Sequence, residues 1–264
     1  MDKIEIKDLT LEYRENNNSY VALDDISLTI KEGEFVCVIG PSGCGKTSLL
    51  SAVEGLNKPA KGSISIDGKE ITGPGTDRGV VFQHYSLFPW LTALGNVVFT
   101  MKQYKCKGSK KELEKVAKDY LTKVGLAESI DKYPAQLSGG MQQRVAIARV
   151  LAANAQIFLM DEPFGAIDPK NRQELQELVA ALAREEKKTV IFVTHDIDEA
   201  ILLSDRIIYI DNKKISADIP VDMAKPRTKA ALVGNEQYLR LSNQLMSLFY
   251  KRMAEQIGGD EVII

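Results

Sequence analysis

The stretch GPSGCGKT, residues 40–47, has the composition and spacing of a phosphate-binding loop. It matches the pattern G-x-x-x-x-G-K-S/T, whose glycines let backbone N–H groups wrap around phosphate oxygens. In that pattern Lys46 reaches the outer phosphates and the Thr47 hydroxyl holds Mg²⁺, whereas we interpret Cys44 as filler rather than as a nucleophile. The expected nucleotide-binding residues here are Gly40, Pro41, Ser42, Gly43, Cys44, Gly45, Lys46, Thr47 and Ser48.

Two adjacent carboxylates, Asp161 and Glu162, follow the apolar run IFLM. Because Asp161 ends a predicted buried strand, its carboxylate is placed to hold the ligand shell of Mg²⁺. Glu162 is expected to point elsewhere, since successive strand residues alternate in direction. A carboxylate beside Mg²⁺ and a terminal phosphate can orient and activate water, which makes Glu162 the expected catalytic carboxylate.

Gln83 and His195 end two further apolar runs, GVVFQ and TVIFVTH. The amide of Gln83 can touch both Mg²⁺ and the attacking water, although the pattern alone equally fits a surface glutamine. The imidazole of His195 can stabilise charge that develops on a terminal phosphate, and the alternative is a structural histidine at a strand end.

The stretch LSGGMQQR, residues 137–144, indicates a second anion-binding element. Ser138 followed by Gly139 and Gly140 is typical of a helix start. The free backbone N–H groups of a helix N-terminus bind anions. The chain therefore carries two phosphate-binding ends, far apart in sequence.

The apolar runs predict a sheet that is covered on both faces. FVCVIG, GVVFQ, IFLMDE and TVIFVTH are continuously apolar, which is typical of strands in a parallel or mixed sheet. Ligands bind at the carboxyl ends of such strands, so the polar residues there are expected to form one site. Residues 3–36 and 62–71 alternate with period two instead, which predicts antiparallel strands interrupted by the polar loop RENNNS, residues 14–19.

Helix patterns dominate the interval between Gln83 and Ile157. One predicted helix begins with a capping box of Ser109 and Glu112 and ends at Gly125. Its expected apolar stripe is Leu113, Val116, Ala117, Tyr120, Leu121 and Val124. A second helix is predicted over about 139–153. The fold class is thus α/β, with an inserted helical subdomain at about 88–153.

Two more helices are predicted towards the C-terminus. One has Pro169 at its first position and an inward face of Leu175, Leu178, Val179 and Leu182. The other spans 228–255, with Tyr238, Leu241, Leu245 and Phe249 on one face and a frayed tail, GGDEVII. The sequence IIYIDNKKISADI between these helices predicts a closing hairpin.

Composition excludes several classes of protein. The 264 residues include 34 basic and 36 acidic ones, and this balance argues against a dedicated nucleic-acid partner. Three cysteines without a CxxC pair fit free thiols in a reducing cytosol. The N-terminus does not resemble a signal peptide, and no apolar run approaches the roughly 20 residues that cross a bilayer. Any membrane role is expected to come through a partner.

Taken together, the motifs resemble the ATP-binding subunit of an ABC transporter. Their order is that of the family: the phosphate loop, Gln83, LSGG, LMDEP (159–163), GAID (165–168) and His195. The resemblance covers roughly residues 3–225, so we expect an ABC ATPase domain of P-loop NTPase (RecA-like) type over 1–225 and a helical extension over 226–264. Met141 and Gly165 depart from the commonest family forms.

The resemblance implies how the two phosphate-binding ends are used. In that family two copies pack head to tail, and Ser138, Gly139 and Gly140 cap the γ-phosphate of Mg-ATP held by the other copy's Lys46. The family also implies that Asp168 contacts the other copy and that Tyr13 stacks on adenine. Tyr20 is the alternative residue for the adenine contact. Implied partners are an integral membrane permease and, indirectly, an extracytoplasmic solute-binding protein. The chain would then lie peripherally on the cytoplasmic face of the membrane.

Within the family the sequence is most similar to importers of nitrate, sulfonates, taurine and related small anions. An ABC-type ATPase of DNA repair or chromosome machinery is disfavoured, because the phosphate loop and LSGG are not separated by a long coiled coil. A stand-alone P-loop enzyme is disfavoured by LSGG and His195. The aromatic stretch HYSLFPWLTALGNVVF, residues 84–99, is expected to dock the membrane subunit, with some of Tyr85, Leu87, Phe88 and Trp90 exposed in a groove. The alternative is that these residues form the core of the helical subdomain.

Overall fold

The part of the chain that the structure describes contains ten strands, eight α-helices and two short 3-10 helices, Ala127–Ser129 and Pro134–Gln136. This computed structural model describes residues 1–15, 18–82, 86–165, 167–232 and 234–259. The strands are β1 (Asp2–Glu15), β2 (Asn18–Lys31), β3 (Phe35–Ile39), β4 (Lys61–Ile66), β5 (Lys69–Glu70), β6 (Arg78–Val81), β7 (Ile157–Asp161), β8 (Thr189–Val193), β9 (Arg206–Asp211) and β10 (Lys214–Pro220). The helices are α1 (Lys46–Glu54), α2 (Ala93–Gln103), α3 (Lys110–Lys123), α4 (Gly139–Ala152), α5 (Pro169–Glu185), α6 (Ile197–Leu203), α7 (Lys229–Leu232) and α8 (Glu236–Gly259).

The central sheet has six strands in the order β10-β9-β3-β8-β7-β6. Strands β6, β7, β8, β3 and β9 run parallel to their neighbours, and β10 pairs antiparallel with β9, which confirms the predicted mixed sheet and closing hairpin. Along β3, Cys37 belongs to the apolar cluster on one face, and Val36 and Val38 belong to the cluster on the other. Strands with both faces buried have no exposed side to make polar, which explains their continuous apolar runs.

A second, antiparallel sheet covers one face of the central sheet together with α1. Its order is β2-β1-β4-β5. The predicted loop over 14–19 was too long, because β1 continues to Glu15 and β2 begins at Asn18. Polar side chains there stabilise the strand pair instead of ending it: the Ser19 hydroxyl donates a hydrogen bond to Glu12 across the ladder, at 3.1 Å.

The helical insertion leaves the sheet after β6 and returns at β7. The capping box of Ser109 and Glu112 begins α3 as predicted. Val116 was wrongly predicted to lie on its apolar stripe, since it is 38% exposed while Leu113, Ala117 and Leu121 are buried. Helix α4 is buried along most of its length and joins the insertion to the central sheet in one continuous apolar cluster. The described part of residues 86–156 contains no strand, as expected.

The C-terminal extension packs against the last elements of the sheet domain. The single helix predicted over 228–255 is broken, because Gly234 adopts a left-handed conformation (φ +75°) and α8 begins afresh at Glu236. The predicted inner face is confirmed: Leu245 is fully buried, the Tyr238 hydroxyl donates to Asp198 at 2.7 Å, and the rings of Phe249 and Tyr209 lie 5.2 Å apart. Within the described residues, none of the helices combines the length and apolar character of a bilayer-spanning segment.

Candidate functional site

The phosphate-binding loop joins the end of β3 to the start of α1, as predicted. Gly45 has φ +110°, and a Cβ there would lie 2.7 Å from the Ala22 carbonyl oxygen, so only glycine fits this position. The same glycine is the N-cap of α1 and supplies no side chain to cap it. The first N–H groups of α1 are therefore open to an anion.

The side chain of Lys46 lies inside the loop rather than in solvent. Its Nζ donates to the carbonyl oxygens of Gly40, at 2.9 Å, and Pro41, at 2.8 Å. A buried ammonium group next to open backbone N–H groups has the donor chemistry that triphosphate oxygens require. Cys44 is buried in the same loop, and burial raises the pKa of its thiol, which agrees with a filling role rather than a nucleophilic one.

Asp161 lies at the carboxyl end of β7, opposite the start of α1. Its carboxylate accepts a hydrogen bond from the Thr47 hydroxyl, and burial raises the pKa of Asp161 while Thr47 and Lys46 lower it. A carboxylate and a hydroxyl that converge beside a phosphate-binding loop are oxygen donors of the type that Mg²⁺ prefers. Gln83, the third predicted metal ligand, lies outside the described residues.

Glu162 and His195 are brought together at the same edge of the sheet. His195 Nδ1 lies 3.2 Å from Glu162 Oε2, and the His195 side chain is 69% exposed. The predicted reason for the direction of Glu162 was wrong, because β7 ends at Asp161 and strand alternation no longer applies. Glu162 instead has φ +42°, so a left-handed turn separates its side chain from that of Asp161.

Ser138 and Asp168 form a second group of residues. Ser138 is the N-cap of α4 and accepts from the Met141 N–H at 3.3 Å. Asp168 is the N-cap of α5, and one oxygen accepts from the side-chain amide of Asn171 at 2.7 Å. The two helix starts are neighbours, because a Cβ on Gly140 would lie 3.8 Å from the Cβ of Asn171. Gly139 and Gly140 form the first turn of α4, and both N-cap side chains are exposed.

The two tyrosines that competed for the adenine position lie in different surroundings. They face each other as a pair across β1 and β2. The Tyr13 hydroxyl donates to Ser48 Oγ in the first turn of α1, at 3.3 Å, and accepts from Asn57 at the same distance. Tyr20 is 51% exposed, and the Lys213 ammonium group lies 4.7 Å from its ring centroid. Tyr13 is therefore the tyrosine that contacts the phosphate-loop helix.

Glu199 was missed by sequence reasoning, and the local pattern around it would have misplaced its side chain. Asp196 and Glu199 have the D-x-x-E spacing of a helix start, and Asp196 does cap α6 by accepting from two backbone N–H groups. That spacing predicts a Glu199 side chain turned back to the cap. The side chain instead points into the protein and accepts from Thr194 and Gln176.

Comparison with known proteins agrees with this geometry. The family described as ABC transporter matches residues 23–165. The bicarbonate transport ATP-binding protein CmpD of Synechocystis sp. is 42% identical over 94% of this chain and 89% of its own length. The nitrate import ATP-binding protein NrtD of Synechococcus elongatus is 43% identical over 89% of this chain and 87% of its own length.

A solved structure gives the same fold. The ATP-binding cassette MJ0796, a dimer in a post-hydrolysis state bound to ADP and Pi, matches 84% of this chain with a TM-score of 0.75 and 37% identity, and all of that chain is covered. The predicted P-loop NTPase class is thereby confirmed. The chain belongs to the ABC transporter family and is one of its ATP-binding, ATP-hydrolysing subunits.

Proposed function

We propose that two copies of this chain bind two Mg-ATP molecules at a head-to-tail interface and drive import of a small anion through a separate membrane subunit. The observation that carries the proposal is that one chain has two groups of site residues, one at the start of α1 and one at the start of α4. Lys46, Thr47, Asp161, Glu162 and His195 surround one, and Ser138 with Asp168 forms the other.

In the first half-site each residue has a distinct task. Lys46 and the loop N–H groups bind the β- and γ-phosphates, and Tyr13 stacks on adenine. Thr47 and Asp161, with Gln83, hold Mg²⁺, which when bound neutralises phosphate charge. Glu162 orients and activates the attacking water, and His195 donates to the γ-phosphate while its other ring nitrogen contacts Glu162.

In the second half-site the start of α4 offers N–H groups to the γ-phosphate bound by the other copy. Ser138 is exposed, and the first turn of α4 contains two glycines whose missing side chains allow close approach. Asp168, beside it, contacts the other copy. A two-fold dimer then contains two equivalent composite sites. The dimeric state of the similar cassette MJ0796 supports this arrangement.

Mixing two inactive variants is expected to restore ATPase activity. A Lys46→Ala chain retains its Ser138 half-site, and a Ser138→Arg chain retains its Lys46 half-site. Their heterodimer therefore contains one intact composite site and one doubly damaged site. We expect the mixture to recover up to about a quarter of wild-type turnover, because about half of the dimers are mixed and each has one of two sites. The measurement is phosphate release at equal total protein.

The matched control mixes two chains that each carry Lys46→Ala, which cannot form an intact site. Because weak dimers can hide recovery, the experiment is repeated with the two variant chains joined by a linker. If the linked pair, assembled with its membrane subunit, stays as inactive as the control, the shared site is contradicted.

An aromatic surface that follows Gln83 in the sequence is proposed to dock the membrane subunit. Trp90 is 70% exposed, and Phe82 and Phe99 are 40% and 38% exposed. Phe88 joins the group, with ring centroids 5.5 Å from Trp90 and 4.7 Å from Phe99. Exposed aromatic clusters of this kind are typical anchors of protein interfaces. Phe88 follows Gln83 by five residues, so backbone movement at Gln83 would be passed along a short segment to this surface.

Trp90→Ala is expected to weaken co-purification with the membrane subunit by about tenfold or more, as loss of an interface anchor does. Basal ATPase of the isolated chain is expected to stay within about twofold, since Trp90 makes little contact with its own core. Both quantities are measured on one preparation, with transport followed as uptake of labelled nitrate or bicarbonate. Tyr250→Ala, which removes a 65% exposed aromatic on α8, is the matched control.

Two outcomes would contradict the docking surface. If Trp90→Ala lowers ATPase and the melting temperature together, Trp90 belongs to the core. If assembly and transport match the Tyr250→Ala control, the membrane subunit docks elsewhere.

Small anions are proposed as the solute because the similar proteins CmpD and NrtD are named for bicarbonate and nitrate. Uptake that is equal with and without an active copy of this chain would exclude those two anions.

A further inference from the structure

Three buried side chains, those of Thr194, Glu199 and Gln176, form a hydrogen-bonded network that includes the residue before His195. Glu199, in α6, is 6% exposed. One of its carboxylate oxygens accepts from the Thr194 hydroxyl at 2.6 Å, and the other accepts from the Gln176 amide at 2.8 Å. Thr194 and Gln176 are themselves 2% and 0% exposed. The carboxylate therefore joins the end of β8 to the middle of α5.

Thr194 fixes the backbone on both sides of His195. Its hydroxyl oxygen accepts from the N–H of Asp196 at 3.0 Å, and its own N–H donates to the Val38 carbonyl at 3.2 Å. The ring of His195 lies mostly in solvent, so its position depends on this backbone and on the contact with Glu162. A shift of Thr194 would move His195.

At its other end the network reaches the helix that begins at Asp168. Gln176 is eight residues beyond Asp168, which is about 12 Å along α5. A helix of 17 residues moves as a stiff rod over that distance. Glu199 therefore fixes the distance between His195, which belongs to the first half-site, and Asp168, which is proposed to contact the other copy.

A carboxylate is an unfavourable residue for this position unless its geometry is needed. Burial raises the pKa of Glu199, while the hydrogen bonds from Thr194 and Gln176 and the charge of Arg172 act in the opposite direction. A carboxylate held away from water costs more than an apolar side chain of the same volume, and hydrogen bonds offset only part of that cost. What a carboxylate adds is two strong, directional acceptors that hold two elements in one arrangement.

We propose that Glu199 is a positioning residue, which acts through Thr194 to hold His195 in a fixed place relative to α5 and Asp168. The inference rests on the role proposed for His195 at the γ-phosphate. Glu199 itself touches neither nucleotide nor metal in this scheme.

Two pairs of variants test the proposal. Thr194→Val keeps the shape but removes the hydroxyl, and Thr194→Ser keeps the hydroxyl. Glu199→Leu removes both acceptors. Glu199→Gln keeps one acceptor oxygen. The side-chain oxygen of Gln176 is buried and has no hydrogen-bond partner among the described residues. If the Gln176 amide rotates, this oxygen can accept from the new amide group at position 199. We expect Thr194→Val and Glu199→Leu to lower kcat about tenfold, as small misplacements of reacting groups do. KM for ATP should stay within about twofold, and Thr194→Ser and Glu199→Gln should recover most of kcat.

The two histidines provide a direct readout of position. Because the chain contains only His84 and His195, each imidazole can be followed separately by NMR. In Thr194→Val we expect the His195 signals to move, and in Thr194→Ser we expect them to stay close to those of wild type. Unchanged His195 signals in both Thr194→Val and Glu199→Leu would overturn the proposal, as would a loss of kcat matched by an equal loss of folded protein. Full turnover by His195→Ala would contradict the role of His195 while the NMR result still decides its positioning.

Discussion

Lys46→Ala is expected to reduce ATP hydrolysis at least about a hundredfold, as removal of one preorganised charged donor from a phosphoryl-transfer site does. Lys46 Nζ lies within 2.9 Å of two loop carbonyl oxygens, so its ammonium group is already held inside the loop. The variant should lose tight ATP binding as well as turnover, because the ammonium group contacts ground-state phosphates too. Phosphate release and equilibrium ATP binding are the measurements.

The control for this variant is Lys58→Ala, which removes an exposed lysine from the loop after α1. Because Lys46 also bonds to its own loop, melting curves of both variants show whether the loop still folds. Full turnover by a well-folded Lys46→Ala chain would contradict the assignment of the phosphate-binding loop.

Glu162→Gln is expected to bind ATP normally and to hydrolyse it about a hundredfold more slowly or worse, because the carboxylate that activates water is lost. The phosphate-binding loop, Thr47 and Asp161 remain intact. ATP that persists at the interface stabilises the dimer by mass action, so the variant should accumulate as a dimer in Mg-ATP. Size-exclusion chromatography with and without Mg-ATP measures this shift.

Wild type and Glu185→Gln, which changes an exposed carboxylate at the end of α5, are the controls. Both should hydrolyse ATP and show less dimer than Glu162→Gln. A Glu162→Gln chain that remains monomeric at every ATP concentration, or one that turns over normally, would count against the proposed role.

The features predicted well from sequence are those set by local chemistry. The phosphate-binding loop is specified by glycines and one lysine at fixed spacing, and Gly45 is needed by the backbone itself. Continuous apolar runs correctly indicated a sheet buried on both faces, and Ser109 and Pro169 correctly marked two helix starts. In each case the signal lies within a few residues of the feature.

The predictions that were wrong or missing concern features that depend on tertiary contacts with other parts of the chain. Val116 fits an apolar stripe by spacing, but no neighbouring element covers it. Gly234 breaks the C-terminal helix although the apolar pattern continues through it. Glu199 looks like a helix cap until Gln176, 23 residues away, provides a better partner. Spacing along one segment cannot reveal which distant side chain will compete for a carboxylate.

The alternation of β7 between two apolar clusters limits how the length of this protein can vary. Phe158 and Met160 belong to one cluster, and Ile157 and Leu159 to the other. Deleting a single residue within β7 would turn the later side chains of that strand to the opposite face and move Asp161 away from Thr47. Substitutions of similar size are tolerable there, but insertions and deletions are not. Lineages of such proteins therefore have room to gain or lose residues in loops and at the chain ends, while the lengths of the central strands stay fixed.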